Sequence, residues 1–384
     1  MRFSSKALFV FVISLLLSQT GLGLPKFASR TGAKCQACHV NPTGKGMRNE
    51  FGSSYGRDDI TLPTFKELTD FEEFSTNLTS NISVGADVRN LFFYNQREKG
   101  SSFFQMQGDV YFDLRLNKKF RVLIDKGLYS GFEIMGIAKV LPLEGYVKVG
   151  KFMPAYGTRI DDHTAFIRGG QFGGGPYAGL IPSGYPTGLR FGERSEDTGI
   201  ELGFSPSYFS FQLGVFNGTP GAGLSGTGST KQKAVSLRGE AVFRISDINL
   251  SVGGSLYNYP DPGGTITYYS GFGSITVLQS LTLHSEVDIL TKTLPGPDIT
   301  GMIVWNELNY MVTPGVDVKV GFEFYDPDTQ LKNGSFSRLT LGAELFLLSG
   351  VEVRPLYRLN LEDLPSGSTV DNNDELQLLF HFYL

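Results

Sequence analysis

The sequence predicts an all-β fold: an outer-membrane-type antiparallel β-barrel of about sixteen strands, preceded by a short N-terminal segment of different character. Three observations predict it. Polar and apolar residues alternate with a period of two from about residue 80 to the end. The alternating runs are joined in turn by tight turns and by longer polar loops. Past the leader, no stretch is apolar enough to be a spanning helix. Composition agrees: 13% of the 384 residues are aromatic and 48 are Gly, which suits one very large sheet beside one small domain. A formal charge of −4 offers no basic footprint, so nucleic acid is not an expected partner.

Residues 1–23 read as a secretory signal. Arg2 and Lys6 form a basic start, Ala7 to Leu17 an apolar run, and Gly21, Leu22 and Gly23 a small-residue cleavage site. A permanent membrane helix needs about 18 or more apolar residues, and this run is shorter. The mature chain is expected to begin at Leu24.

Residues 24–75 hold both cysteines of the chain, in "GAKCQACHVNPTGKGMRNEFG". Cys35-Gln36-Ala37-Cys38-His39 fits C-x-x-C-H, the attachment sequence of c-type haem: two thiols add to the vinyl groups and the adjacent His39 ligates the iron. Three other readings compete. A redox-active C-x-x-C needs a thioredoxin-like βαβ context, a zinc site needs about four ligands, and a disulfide at this spacing staples almost nothing. Met47, eight residues after His39, is the nearest thioether and the candidate second axial ligand, or else packs on the ring. His163, His284 and His381 are more distant candidates, with a lumen-lining role as the alternative. Few large apolar residues lie between Leu24 and Ser75, too few for a free-standing core, so the segment is expected to dock at the barrel's periplasmic mouth or inside its lumen.

Residues 76–384 carry the barrel. Expected strands run 81–95, 102–117, 119–126, 130–141, 145–153, 194–205, 207–217, 233–245, 247–258, 265–277, 280–292, 300–312, 315–326, 336–347, 350–362 and 374–384. An even count places both ends in the periplasm. Gly127 and Gly131 leave open whether the third and fourth are one bulged strand. In "VDVKVGFEFY", Val316, Val318, Val320, Phe322 and Phe324 share one face, and Asp317, Lys319, Gly321 and Glu323 the other. A chain of strands crosses lipid only as a closed sheet, whereas a soluble sandwich or solenoid is the competing fold. The third external loop, 154–193, is far longer than ordinary connections; it either folds into the channel or lies on the surface. Inward-phased acids (Asp87, Asp109, Asp113, Glu286, Asp288, Glu307, Asp317, Glu344) outnumber inward-phased Arg89, Arg115, Arg121, Arg238, Arg244 and Lys319, a mildly acidic lumen that admits small cations or merely stays wet.

"LPKFASRTGAKCQACH" resembles the leader of the fused monohaem cytochrome c–porins, the outer-membrane iron oxidase type, over roughly residues 24 to 56. The resemblance implies one haem c held by Cys35, Cys38 and His39. It also implies oxidation of Fe(II) or another small donor at the cell surface, and passage of electrons to periplasmic c-type cytochromes. "NPTGKGMRNEFGSSYG" departs from those leaders, which leaves donor and direction open. Two further functions stay in play: a solute-diffusion porin whose haem segment is a plug or redox gate, and a conduit discharging electrons outward. No Ser-His-Asp set, Gly-rich phosphate loop or acid pair with enforced spacing is present; an enzymatic activity, if the chain has one, is by the resemblance that of an oxidoreductase of the Fe(II) oxidase type.

Overall fold

The computed structural model describes residues 25–66, 75–96, 98–128, 131–160, 162–170, 188–192, 195–221, 232–261, 263–293, 295–362 and 373–384. The expected leader, 1–23, and the middle of the long loop lie outside the described residues. Sixteen strands form one sheet: β1 (Ile82–Asn95), β2 (Gly100–Arg115), β3 (Phe120–Gly127), β4 (Phe132–Leu141), β5 (Gly145–Phe152), β6 (Asp197–Phe204), β7 (Phe209–Phe216) and β8 (Ala234–Ile245) in its first half. The second half is β9 (Ile248–Asp261), β10 (Gly264–Val277), β11 (Leu281–Thr293), β12 (Ile299–Thr313), β13 (Val316–Asp326), β14 (Phe336–Leu348), β15 (Val351–Glu362) and β16 (Glu375–Tyr383). Each strand pairs antiparallel with its sequence neighbours, and β1 closes on β16 from Asp87↔Tyr383 to Asn95↔Glu375. Closure removes the edges that would otherwise expose unpaired backbone. The question at Gly127 and Gly131 resolves into two strands, since Phe120↔Ala138 through Lys126↔Phe132 pair antiparallel.

Burial is inverted relative to a water-soluble sheet. On β13, Val318, Val320 and Phe322 are 41%, 45% and 44% exposed, while the intervening Asp317 and Lys319 are 3% and 5% exposed. Leu376 and Phe382 face outward on β16, and Gln377 and His381 inward. An apolar outer band with a polar interior is the pattern of a sheet solvated by lipid. Arg244 shares the inward phase but sits exposed beside the Ile245–Ile248 turn.

The interior is filled from both ends. At the end with the short turns lies the N-terminal segment: α1 (Pro25–Thr31), the Cys35–Ala37 turn and α2 (Glu50–Asp58). Residues 25–49 contain five basic side chains (Lys26, Arg30, Lys34, Lys45, Arg48) and no acidic one, so they complement the carboxylates of the wall. Lys26 pairs with Asp317 (3.1 Å) and Glu344, and Arg30 reaches both Asp317 oxygens at 3.0 and 2.8 Å. Lys45 meets Glu133 at 3.4 Å, and the Lys34 ammonium donates to the carbonyls of Ser205 and Phe209. Phe27 packs edge-on against Tyr55 and Phe346, with Ile60 and Tyr383 in the same cluster. The segment's missing core is thus completed by barrel side chains. The Leu62 N–H donates to the Phe346 carbonyl, and a Cβ on Gly315 (φ +87°) would lie 2.5 Å from the Leu62 backbone, so this turn must be glycine.

From the other end, the segment after β5 folds inward. Tyr156 donates to Asp288 (2.8 Å), Thr158 N–H to Glu286 (2.6 Å) and Phe166 N–H to Glu323 (2.7 Å). Of the two alternatives for this loop, its described part takes the inward one.

Two outcomes are expected. Val320→Arg places a cation on the lipid face and lowers stability in bilayers by about 2–4 kcal/mol, read by urea unfolding; an unchanged midpoint contradicts the assignment of that face. The Lys26→Ala/Arg30→Ala pair strips Asp317 of its plug partners, at about 3–5 kcal/mol for a broken buried pair. Limited proteolysis of the folded protein in detergent should then cut within 25–62 at least tenfold faster, whereas an unaltered cleavage rate speaks against a charge-anchored plug.

Candidate functional site

The C-x-x-C-H stretch folds as one tight turn. The Cys35 carbonyl accepts from the N–H groups of Cys38 (3.2 Å) and His39 (3.1 Å). The chain then doubles back, with His39 bridging antiparallel to Arg48 and the Val40 N–H donating to the Met47 carbonyl at 3.0 Å. Asn49 locks the two limbs together. Its N–H donates to the Cys38 carbonyl (2.7 Å), its amide to the Ala37 carbonyl (2.8 Å), and its side-chain oxygen accepts from Gly52 N–H (2.9 Å) as the N-cap of α2. A Cβ on Gly52 would meet the Cys38 carbonyl oxygen at 2.3 Å, so α2 packs this closely only with glycine there.

Cys38 is buried and Cys35 half-buried. Burial, reinforced by nearby Glu240, pushes the Cys35 thiol up, so it stays protonated at neutral pH. His39 Nδ1 lies 3.3 Å from the Gly46 carbonyl, which can only accept. With the proton on Nδ1 this contact is a hydrogen bond, and that tautomer would leave the Nε2 lone pair for a metal.

His39 and Cys35 line a cavity of about 90 Å³ in the middle of the lumen, between the N-terminal segment and the inward loop. Smaller voids of about 50 and 30 Å³ adjoin on the Cys35 and Cys38 sides. A porphyrin joined to both thiols would have to merge these spaces by displacing side chains between them. The chemistry of the lining suits such a group. Lys45, Arg48, Arg89, Arg159 and Arg168 face the central cavity with Asp87 as their one acidic companion among the described lining residues, a match for the two propionates of a haem. Arg168 Nε is buried without a hydrogen-bond partner. Burial and then the neighbouring Arg159 push Arg168 down to about 10, a strain that an anion would relieve. Cys35, Cys38 and His39 are therefore the residues that would hold a haem c.

The other expected ligands separate. Met47 lies between Gly46 and Arg48, which line the central cavity, but itself packs with Val40 and Tyr111 and borders a cavity of about 1080 Å³ at the turn end. His284 sits against Trp305 and lines other voids. His381 has both ring nitrogens at carboxylates, Asp87 (3.1 Å) and Glu352 (2.8 Å), the lumen-lining role weighed for it. His163 alone of the three distant histidines lines the central cavity with His39.

Several contributors escaped sequence reasoning. Arg338, Arg354, Arg358 and Glu352 follow the inward phase and were accessible to it, whereas Arg159 and Arg168 lie in a segment with no period to place them. The acidic surplus expected of the lumen is largely matched in place. Asp317 and Glu344 meet the plug, Asp87 meets Arg89, and Lys319 lies between Glu307 (3.0 Å) and Glu344 (3.4 Å). Among the described residues no cluster of three or more His, Cys, Asp or Glu is arranged to hold a metal ion.

No family model matches the chain, and no curated protein matches it. Solved structures do. OmpT of Vibrio cholerae superposes with a TM-score of 0.55 at 13% identity, covering 81% of this chain and all of that one. An anion-selective porin from Comamonas acidovorans gives 0.51 at 12% identity, covering 79% and 99%, and a further porin 0.50 at 13% identity, covering 79% and 100%. At such identities the likeness concerns fold alone: the chain is built on a closed sixteen-stranded antiparallel barrel of the kind seen in outer-membrane porins.

Proposed function

We propose that the protein is an outer-membrane electron conduit carrying one haem c in its lumen, attached to Cys35 and Cys38 and ligated by His39. One observation carries this reading: the C-x-x-C-H turn lies inside the barrel, walled by strands below and by the inward loop above, instead of hanging free of it. A hydrocarbon core about 30 Å thick blocks ions and electrons alike, so a redox group serves both sides only where the barrel brings it within reach of each. The haem would supply a one-electron couple. The chain's own residues would do the rest. Asn49 and Gly52 hold the turn, Gly46 orients His39, and Lys26, Arg30 and Lys45 moor the segment to the wall. The short-turn end would face the periplasm and its c-type cytochromes, and the donor at the loop end would be Fe(II) or another small reductant.

The likeness to porins, one of them anion-selective, supports a second reading: passive passage of solutes with the N-terminal segment as plug or gate. Basic side chains around the central cavity are compatible with anion passage, but the described parts of the N-terminal segment and of the inward loop lie across the lumen there.

Both readings meet one experiment. The full chain is expressed with a haem c maturation system, purified in detergent and placed in liposomes loaded with a cytochrome acceptor. Covalent haem that survives denaturation, is lost in Cys35→Ala/Cys38→Ala, and is reduced by external Fe²⁺ supports the conduit. Solute flux from protein without covalent haem overturns it in favour of the porin.

A further inference from the structure

Resting on the haem reading above, we propose that the inward loop supplies the second axial ligand and that this ligand is His163. The nearest thioether in sequence, Met47, is then a packing residue.

Asp162 and Thr164, on either side of His163, are both held by buried groups of the wall. On one side Asp162 pairs with Arg358 of β15; on the other Thr164 receives Arg338 of β14 at its carbonyl (2.8 Å) and Arg358 at its hydroxyl. Asp162 also binds the Thr164 N–H at 2.9 Å, so a short turn closes across position 163 itself. Two residues on, Phe166 N–H is fixed by Glu323, and its ring lies under the Arg338 guanidinium at 4.7 Å. Arg338, Arg358 and Glu323 are each no more than 3% exposed. A surface loop has no need of two buried arginines bracketing one residue. A ligand-bearing loop does, because an axial ligand must be presented at a set height over the metal, and preorganisation of its backbone lowers the entropy lost on binding.

The same cavity is lined by His39 and Cys35. His39 comes from the N-terminal segment and His163 from a loop more than a hundred residues later, and in the fold they share this one space. Met153 also lines it, as the other loop side chain with ligating chemistry among the described residues. Its backbone, however, is held by a single longer contact from its N–H to Glu133 (3.3 Å) and by Arg159 donating to its carbonyl (3.0 Å). Met47 is not among the described residues that line this cavity; it packs with Val40 and Tyr111 against the wall, where a Cβ on Gly85 of β1 would touch its Cγ at 3.7 Å. A bis-histidine haem follows, with one ligand fixed to the plug and one to the loop, so that haem attachment would also bind the two fillings of the barrel to each other.

The test uses the detergent-solubilised full-length holoprotein and reads the optical and electron paramagnetic resonance spectra of the ferric haem. Wild type is expected to be low-spin, without the charge-transfer band of thioether ligation. His163→Gly should convert at least nine-tenths of the haem to high-spin or exogenously ligated forms, with added imidazole restoring the wild-type spectrum. His163→Met should create the thioether band and raise the reduction potential, while Met47→Leu and Met153→Leu leave the spectrum as in wild type. A His163→Gly or His163→Met spectrum identical to wild type overturns the assignment, and so does loss of low-spin character in Met47→Leu or Met153→Leu. Absence of thioether-bound haem from wild type would instead overturn the reading on which this proposal rests.

Discussion

Closure of the sheet is the constraint from which the rest of the structure follows. In hydrocarbon, each backbone N–H and C=O left unpaired costs several kcal/mol on the order of a lost hydrogen bond or more, so sixteen strands are tolerated only as a ring in which β1 meets β16. Once the ring exists, a strand's two faces look onto different solvents. Alternate side chains of β13 therefore part company, Val318 and Phe322 toward lipid and Asp317 and Lys319 toward an enclosed polar space. That space is where the chemistry of the chain is concentrated.

An enclosed polar space must be matched in charge as well as filled. Carboxylates such as Glu133, Asp317 and Glu344 would be expensive in a narrow lumen if unpaired, since burial penalises the charged form. The N-terminal segment arrives with five basic groups and no acid before Glu50, and its ammonium and guanidinium groups land on those carboxylates. The same logic explains how so small a piece of chain is ordered at all. With Phe27, Tyr55 and Ile60 as its main apolar side chains, it cannot form a core by itself, and Phe346 and Tyr383 of the wall finish one for it. The loop after β5 uses the mirrored device, placing Phe166 and Thr158 amides on Glu323 and Glu286 and Asp162 on Arg358.

Strand existence and facing were legible because they are written locally. The run expected at 315–326 is found as Val316–Asp326 and that at 207–217 as Phe209–Phe216, each set by period-two alternation and ended by a turn. The C-x-x-C-H spacing is local in the same way, and it folds as one tight turn. What could not be seen is what depends on distant partners. Lys26 and Glu344 are 318 residues apart, and no local pattern joins them. Met47 drew attention through its closeness in sequence to His39, yet Gly46 and Arg48 line the cavity while the methionine between them packs with Val40 and Tyr111. His163 lay in a segment without periodicity, and only the buried arginines on β14 and β15 give its position a reason.

The C-x-x-C-H turn, the proposed site of haem attachment, sits within the barrel beneath the inward loop. X-ray data collected at the iron absorption edge from crystals of the purified holoprotein would locate that metal directly. The account predicts a single iron peak inside the ring of strands, between His39 and the segment 162–168. A peak beyond the short turns, outside the ring, or no iron at all, would contradict it.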